Sequence, residues 1–177
     1  GGMPLIEHHI RKLASIGIRD IVVNHAWLGE KIEQYLGDGS RWQVSISYSD
    51  EQKQVLETAG GIIKALPLLG AEPFLVVNGD IYTDFSFGQL PTLEPGVLAH
   101  LYLVDNPVHN PKGDFFIDNG LLKNIRKLEQ QPSYTFSGIA IYRPEFFLNG
   151  EKKPRVLPLA PLFKEFADQQ RISASVL

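Results

Sequence analysis

The sequence contains no cysteine among its 177 residues. This excludes disulfide bonds, thiolate metal sites and cysteine nucleophiles within it. It also lacks an apolar run of the ~20 residues that a membrane-spanning helix needs, and its first residues do not resemble a secretion signal. These absences predict a soluble protein without a membrane partner, and they fit a cytoplasmic location.

An excess of basic residues is also missing. The 17 lysines and arginines are outnumbered by 20 aspartates and glutamates, which gives a formal net charge of −3. Because the basic residues form no stripe that could neutralise a phosphate backbone, we do not expect a nucleic-acid partner. The hydrophobic fraction of 44% is that of a globular protein, and the length predicts a single domain over residues 1–177.

Helical and strand-like segments alternate over the first hundred residues. Helical periodicity between Pro4 and Gly17 is followed by the β-branched run Asp20–His25, and similar pairs recur downstream. This alternation predicts an α/β fold, a Rossmann-like three-layer α/β/α sandwich with a mostly parallel sheet. Asn119-Gly120 lies between two short apolar runs and predicts an appended antiparallel hairpin. We expect helices over 5–16, 29–36, 58–69 and 159–167, and strands over 20–25, 42–48, 73–77, 97–104, 133–142 and 171–177.

Asp80 directly follows the clearest apolar strand. Ligands of open parallel sheets bind beyond the carboxyl ends of the strands, so chemistry is expected there. A carboxylate on a short loop suits Mg²⁺, which takes one or two protein carboxylates together with substrate phosphates. The alternative is structural, because Asn78-Gly79-Asp80 is also a favourable turn sequence.

A second candidate is the stretch Leu56–Gly61, which precedes a helix. Its small residues would let a flat base lie against the backbone, within reach of amides at the helix start. The alternative is an ordinary helix start with Thr58 as the N-cap.

Four segments together identify a family. The sequence resembles the sugar-nucleotide pyrophosphorylase, or nucleotidyltransferase, family at four segments that occur in the family's order: Pro4–His8, Leu56–Gly61, Val76–Asp80 and Tyr134–Ile139. The resemblance covers essentially the whole chain. Within the family, the sequence is most similar to the bacterial uridylyltransferases of cell-wall recycling, chiefly through Asn110–Phe115 and Thr135–Gly138. The resemblance implies an enzyme that transfers a nucleoside monophosphate, UMP above all, from UTP or dTTP to a sugar-1-phosphate and releases pyrophosphate.

The resemblance also implies roles for individual residues. Asp80 matches the catalytic Mg²⁺ ligand of the family. Three further groups match its substrate contacts: Thr58, Ala59, Gly60 and Gly61 at the nucleobase, Asn78 and Gly79 near the ribose and the sugar, and Gly113, Asp114, Ser137 and Gly138 on the sugar side.

Some elements of the family pattern are not found in the sequence. Relatives begin with a buried strand, a glycine-rich loop with an arginine and a Pro-Lys-Pro element, and they carry a second metal-binding aspartate after residue 177. We therefore expect either that the protein contains more chain at both ends or that a partner chain supplies the missing strand. The alternative function is a catalytically silent module that binds nucleotide sugars. The oligomeric state is left open.

Overall fold

A computed structural model describes residues 2–51, 56–88, 90–126, 128–148 and 155–177. The chain forms two compact units. The first comprises Gly1–Glu72, Tyr82–Leu90 and Phe147–Leu159, and the second comprises Pro73–Ile81, Pro91–Phe146 and Ala160–Leu177. This division does not test the expectation of a single domain, which stays a prediction.

The helices and strands lie close to their predicted positions. The helices are α1 (Leu5–Ser15), α2 (Gly29–Leu36), α3 (Glu57–Leu69) and α4 (Leu159–Asp168). The strands are β1 (Asp20–His25), β2 (Ser45–Asp50), β3 (Phe74–Val77), β4 (Ala99–Val104), β5 (Phe115–Asp118), β6 (Leu121–Lys123), β7 (Ser133–Tyr142) and β8 (Ile172–Val176). No helix in the described part of the chain is both long and apolar enough to cross a lipid bilayer.

The first unit contains a parallel strand pair. Strands β1 and β2 run side by side from Asp20 opposite Ser45 to His25 opposite Asp50. Helix α2 lies between them in the sequence, as a crossover between parallel strands requires. The carboxyl ends of both strands therefore lie at one edge, and the predicted parallel arrangement is confirmed for this pair.

Helix α1 begins and ends where the sequence predicts. Pro4 is its N-cap, a place where a missing N–H costs little. At the other end Gly17 has a φ of +90°, its N–H donates to Ala14 O, and the N–H of Ile18 donates to Leu13 O. These are the two hydrogen bonds of a Schellman motif. The helix buries Ile10 in a core shared with Val23, Leu36, Trp42, Val44 and Ile46.

The second unit contains a mixed sheet, and here the prediction of a mostly parallel sheet is wrong. The strand order is β3-β7-β4-β8-β6-β5, and β7 also pairs with β5, which closes five of the strands into a ring. Among the described pairs of this sheet, β4 and β8 are parallel and the others are antiparallel. Alternating helices and strands predicted parallel crossovers, but β3 and β4 both pair with β7, which follows much later in the chain. The predicted hairpin of β5 and β6 is part of this ring.

Strand β3 differs from the buried parallel strand that we expected before Asp80. It pairs antiparallel with β7, from Phe74 opposite Tyr142 to Val77 opposite Ile139, and all four of its residues are half-buried. It occupies the end of the strand order. A run of four apolar residues shows that a strand forms, but it does not specify the direction of a partner that lies elsewhere in the sequence.

Aromatic side chains form the core of the second unit around Phe163 of α4. The Phe163 ring packs edge-on against Phe115 and Phe136, with centroid distances of 5.7 and 5.2 Å, and stacks on Tyr142 at 6.5 Å. Such pairs add to the stability gained from buried area. They fix α4 against β5 and β7, the strands next to several of the candidate site residues.

Candidate functional site

The predicted site residues are divided between the two units. Thr58, Ala59, Gly60 and Gly61 belong to the first unit, at the start of α3. The others belong to the second unit: Asn78, Gly79, Asp80, Gly113, Asp114, Ser137 and Gly138. The two groups differ in backbone conformation and in the residues that they contact.

The start of α3 is more constrained than the sequence indicated. Its N-cap is Leu56, which makes no side-chain capping hydrogen bond, so the alternative of Thr58 as N-cap is wrong. Glu57 has a φ of +62°, a left-handed conformation that is uncommon for a residue with a side chain. Glu57 and Thr58 are exposed, whereas Ala59 is fully buried.

Packing within the protein by itself requires Gly60 and Gly61 to be small, and the predicted contact with a base stays a prediction. A β-carbon on Gly60 would lie well inside 3.0 Å of the Arg155 carbonyl oxygen, and one on Gly61 would lie well inside 3.0 Å of Glu51 Oε1. Protein atoms therefore already occupy the space beside both glycines. A base bound at this turn would have to lie on the side of the exposed Glu57 and Thr58.

In the second unit, β7 carries a bulge at two of the predicted residues. The register with β4 shifts between Tyr102 and Leu103, so that Ser137 and Gly138 lie opposite no residue of β4 in the strand pairing. Ser137 Oγ donates to Tyr102 O at 2.7 Å, and Gly138 has a φ of +85°. Bulges of this kind re-aim side chains and are frequent beside functional sites.

Asn78 contacts this bulge directly. Its N–H donates to Gly138 O at 2.9 Å, and a β-carbon on Gly138 would lie 2.9 Å from Asn78 Nδ2. Gly79 and Asp80 continue from Asn78 into an exposed turn. A β-carbon on Gly79 would meet no atom within 4 Å in the described residues. The structure thus brings Asn78 and Gly138 together beside an open segment that carries Asp80.

Gly113 and Asp114 lie against the amino-terminal half of β7. Asp114 Oδ2 accepts from the N–H of Phe136 at 2.9 Å, and its Oδ1 accepts from Asn110 Nδ2 at 2.9 Å. Gly113 has a φ of +64°, and a β-carbon there would lie 2.5 Å from Asn106 Oδ1. The Asp114 carboxylate therefore holds its loop on the residue that precedes the bulge.

Sequence reasoning missed the polar network under this loop. Thr135 Oγ1 donates to Asn106 Oδ1 at 3.0 Å and accepts from Asn110 Nδ2 at 3.1 Å. The available signal was the repeated Asn-Pro at positions 106–107 and 110–111, which marks two turns. The pairing of both asparagines with one threonine of β7 could not be foreseen from that signal.

Burial shifts the pKa values of two ring side chains on β4. The pKa of Tyr102, whose carbonyl accepts from Ser137, is raised because burial disfavours the phenolate. The pKa of His100 is lowered because burial disfavours the imidazolium. Both side chains are therefore neutral at pH 7.

Asp80 is the candidate metal ligand on the exposed turn after β3. No group of three or more histidine, aspartate or glutamate side chains that could hold a metal occurs among the described residues. Asp80 offers a single exposed carboxylate, and Mg²⁺ needs few protein ligands when substrate phosphates and water complete its shell. Asp80 can therefore contribute one hard oxygen ligand.

Comparison with known proteins identifies the family. The sequence profile of the Nucleotidyl transferase family matches residues 1–93, a span that includes both Thr58–Gly61 and Asn78–Asp80. The chain belongs to this family. The predicted family resemblance and the predicted nucleotidyltransferase activity class are thereby confirmed.

Two relatives match the nucleotidyltransferase over almost all of its sequence. It is 47% identical to the N-acetylmuramate alpha-1-phosphate uridylyltransferase of Neisseria meningitidis over 97% of this chain and 75% of that protein. It is 27% identical to the mannose-1-phosphate guanylyltransferase catalytic subunit beta of Drosophila melanogaster, over 97% of this chain and 48% of that protein.

Solved structures share the fold of the nucleotidyltransferase. HddC from Yersinia pseudotuberculosis, complexed with GMP-PN, aligns over 99% of this chain and 77% of its own, with a TM-score of 0.76 at 19% identity. A UDP-glucose pyrophosphorylase complexed with UDP-glucose aligns over 98% of this chain and 78% of its own, with a TM-score of 0.65 at 15% identity. At these identities the likeness concerns the fold alone.

Proposed function

We propose that the protein transfers UMP from UTP to N-acetylmuramate α-1-phosphate and releases pyrophosphate. The observation that carries this proposal is the 47% identity to an N-acetylmuramate alpha-1-phosphate uridylyltransferase across 97% of the chain. The matched region spans all the predicted site residues from Thr58 to Gly138. The substrate class, a nucleoside triphosphate and a sugar-1-phosphate, rests on the same observation.

The chemistry needs no general base. A phosphomonoester has a second pKa of about 6, so a sugar-1-phosphate is largely dianionic at neutral pH and its oxygen is already a nucleophile. That oxygen forms a bond to the α-phosphorus of UTP, and the bond from the α-phosphorus to the bridging oxygen of pyrophosphate breaks. Catalysis therefore consists of positioning two anions and reducing their repulsion.

Asp80 is the residue that we assign to charge neutralisation. Its exposed carboxylate, on the turn after β3, would hold Mg²⁺ together with substrate phosphate oxygens. When bound, the ion would neutralise negative charge on the reacting phosphates. Asn78 and Gly138 fix the backbone next to this turn, and Gly79 leaves room for a ligand to approach it.

The remaining residues would bind the two substrates. The exposed side of Glu57 and Thr58 is proposed to face the uracil base. The bulge at Ser137 and Gly138, together with the loop at Gly113 and Asp114, is proposed to face the sugar. The absence of cysteine and the use of a nucleoside triphosphate favour action in the cytoplasm. The similarity to an N-acetylmuramate alpha-1-phosphate uridylyltransferase favours a role in the recycling of cell-wall sugars.

Pyrophosphate release from UTP tests the proposal. We expect release with N-acetylmuramate 1-phosphate in the presence of Mg²⁺, no release when the metal is chelated, and slower release with glucose 1-phosphate or with dTTP. The variant Asp80→Asn should lose turnover by a factor of about 100 or more, because it removes the charge that holds the metal.

A matched variant separates this loss from a general effect of losing a carboxylate. Asp20→Asn removes an exposed carboxylate at the first residue of β1 and should leave turnover unchanged. Near-normal turnover of Asp80→Asn would remove Asp80 from the mechanism. Binding of UDP-sugars without any turnover would favour a silent binding module instead.

A further inference from the structure

Glu51 is a buried carboxylate that the mechanism above does not use. It follows the last residue of β2, where its N–H donates to His25 O at 2.8 Å and extends the parallel pairing of β1 and β2 by one residue. Only 9% of the residue is exposed. Burying a charged group is costly unless hydrogen bonds compensate, so its contacts indicate why a glutamate stands here.

The Glu51 carboxylate contacts the start of α3. Its Oε2 accepts from the N–H of Leu56 at 3.2 Å, and its Oε1 occupies the space that a side chain on Gly61 would need. Asn24 Nδ2 lies on the same side, 3.1 Å from where a β-carbon on Gly61 would be. The Glu51 carboxylate therefore lies against both ends of the Leu56–Gly61 turn.

A second contact holds the same turn from another direction. The N–H of Leu157 donates to Leu56 O at 2.9 Å, and the N–H of Gly60 donates to Leu157 O at 3.1 Å. Between these two contacts lies Glu57, with its φ of +62°. A residue with a side chain keeps such a conformation only where its surroundings impose it.

We propose that Glu51 is a positioning residue for the nucleoside triphosphate. Its carboxylate keeps the Leu56–Gly61 turn in the strained conformation that presents Glu57 and Thr58 to the base. This inference rests on the proposed function, because it assumes that the exposed side of the turn receives the nucleotide. Glu51 itself touches the turn and not the ligand.

Two substitutions at Glu51 and one at Glu57 test this role in the full-length protein. Glu51→Ala should raise the Kd and KM for UTP about tenfold, which is the order expected when a hydrogen bond to a charged group is lost. The KM for the sugar-1-phosphate should change less than about twofold, because the turn serves the base. Glu51→Gln should show a smaller rise, since its amide oxygen can still accept from Leu56 N–H.

The sharpest readout is rescue by glycine. Glycine adopts positive φ without strain, so Glu57→Gly should improve the Kd for UTP in the Glu51→Ala background relative to its effect in the wild-type background, where the loss of any contact between the Glu57 side chain and the base is the same. Glu7→Ala is the stability control, because Glu7 is also buried in the first unit, where it accepts from Arg11 Nε at 2.8 Å. It should lower the melting temperature without raising the Kd for UTP.

The outcomes distinguish the inference from the function on which it rests. An unchanged Kd for UTP in Glu51→Ala, or an equal rise in Glu7→Ala, would overturn the positioning role while wild-type turnover still supports the proposed function. A wild-type protein that binds UTP without turnover would contradict the proposed function, and the Kd values alone would then decide the role of Glu51. A wild-type protein that neither binds nor turns over UTP would overturn both.

Discussion

Gly60 is a residue at which a single added methyl group is expected to lower the stability of the protein. In the Gly60→Ala variant the β-carbon would meet the backbone oxygen of Arg155, which no rotamer change can move. The gain in helix propensity of up to about 1 kcal/mol is therefore outweighed by an overpacking cost of about 1–3 kcal/mol or more. We expect a net loss of stability, measured by urea unfolding.

Gly88→Ala provides the matched control for this substitution. Gly88 lies in the same unit, and a β-carbon there would meet Ser86 Oγ at 3.5 Å, an ordinary contact. The free energy of unfolding of this variant should be within about 0.5 kcal/mol of that of wild type. If Gly60→Ala were as stable as Gly88→Ala, the contact with the Arg155 carbonyl would not constrain α3.

His100 makes the stability of the protein depend on pH. Burial lowers its pKa in the folded state below the ordinary value of 6.5, and its two ring nitrogens lie 2.9 and 3.0 Å from the hydroxyls of Ser173 and Ser175. The unfolded chain binds a proton that the folded chain does not, once the pH falls below about 6.5. The contribution of His100 to the free energy of unfolding is therefore complete above that pH. It decreases as the pH falls towards the pKa of His100 in the folded state.

Urea unfolding of wild type and His100→Gln across this range measures the effect. The difference in unfolding free energy between the two proteins should be constant above about pH 6.5 and should shift in favour of the glutamine variant at lower pH. His109→Gln, at an exposed position, should follow wild type throughout. A difference that does not depend on pH would show that His100 does not titrate upon unfolding.

At the scale of elements, the bulge of β7 depends on a glycine for two separate reasons. Gly138 has a φ of +85°, and a β-carbon there would also collide with Asn78 Nδ2 at 2.9 Å. Gly120, in the hairpin turn, has a φ of +76° but would meet nothing within 4 Å among the described residues. Gly120→Ala should lower the free energy of unfolding only by the cost of the left-handed conformation, about 1–2 kcal/mol. Gly138→Ala should lower the free energy of unfolding by more.

Turnover separates these two glycines further. Gly138→Ala displaces Asn78 and with it the turn that carries Asp80, so kcat should fall in the fraction that remains folded. Gly120→Ala should leave kcat unchanged, because its turn contains none of the candidate site residues. Equal stability losses with unchanged kcat in both variants would show that the bulge does not position the Asp80 turn.

The elements themselves could be predicted because their signals are local. Gly17 ends α1 through its own positive φ, and Asn119-Gly120 makes the hairpin turn with φ angles of 51° and 76°. The partner of β3 could not be predicted, since its direction is determined by Ile139–Tyr142, far along the chain. The same limit applies to the site: a motif indicated Asp80, but the contact of Glu51 with Gly61 exists only after β2 and α3 have packed.

At the scale of the whole molecule, the charge limits which anions the protein can bind. With 17 basic and 20 acidic residues it has a formal net charge of −3 at pH 7, and this charge repels polyanions. The net charge would therefore not assist the proposed binding of UTP, which would depend on short-range contacts at the site.

Duplex DNA is a direct test of this limit. Proteins that bind DNA without sequence specificity do so with Kd values of about 10⁻⁴–10⁻⁶ M by releasing counterions from the phosphates. We expect no binding in that range by fluorescence polarisation, and no inhibition of pyrophosphate release by added DNA. A micromolar Kd that weakens steeply with salt would reveal a basic surface that the sequence does not indicate. The proposed selection of UTP would then include a long-range electrostatic contribution.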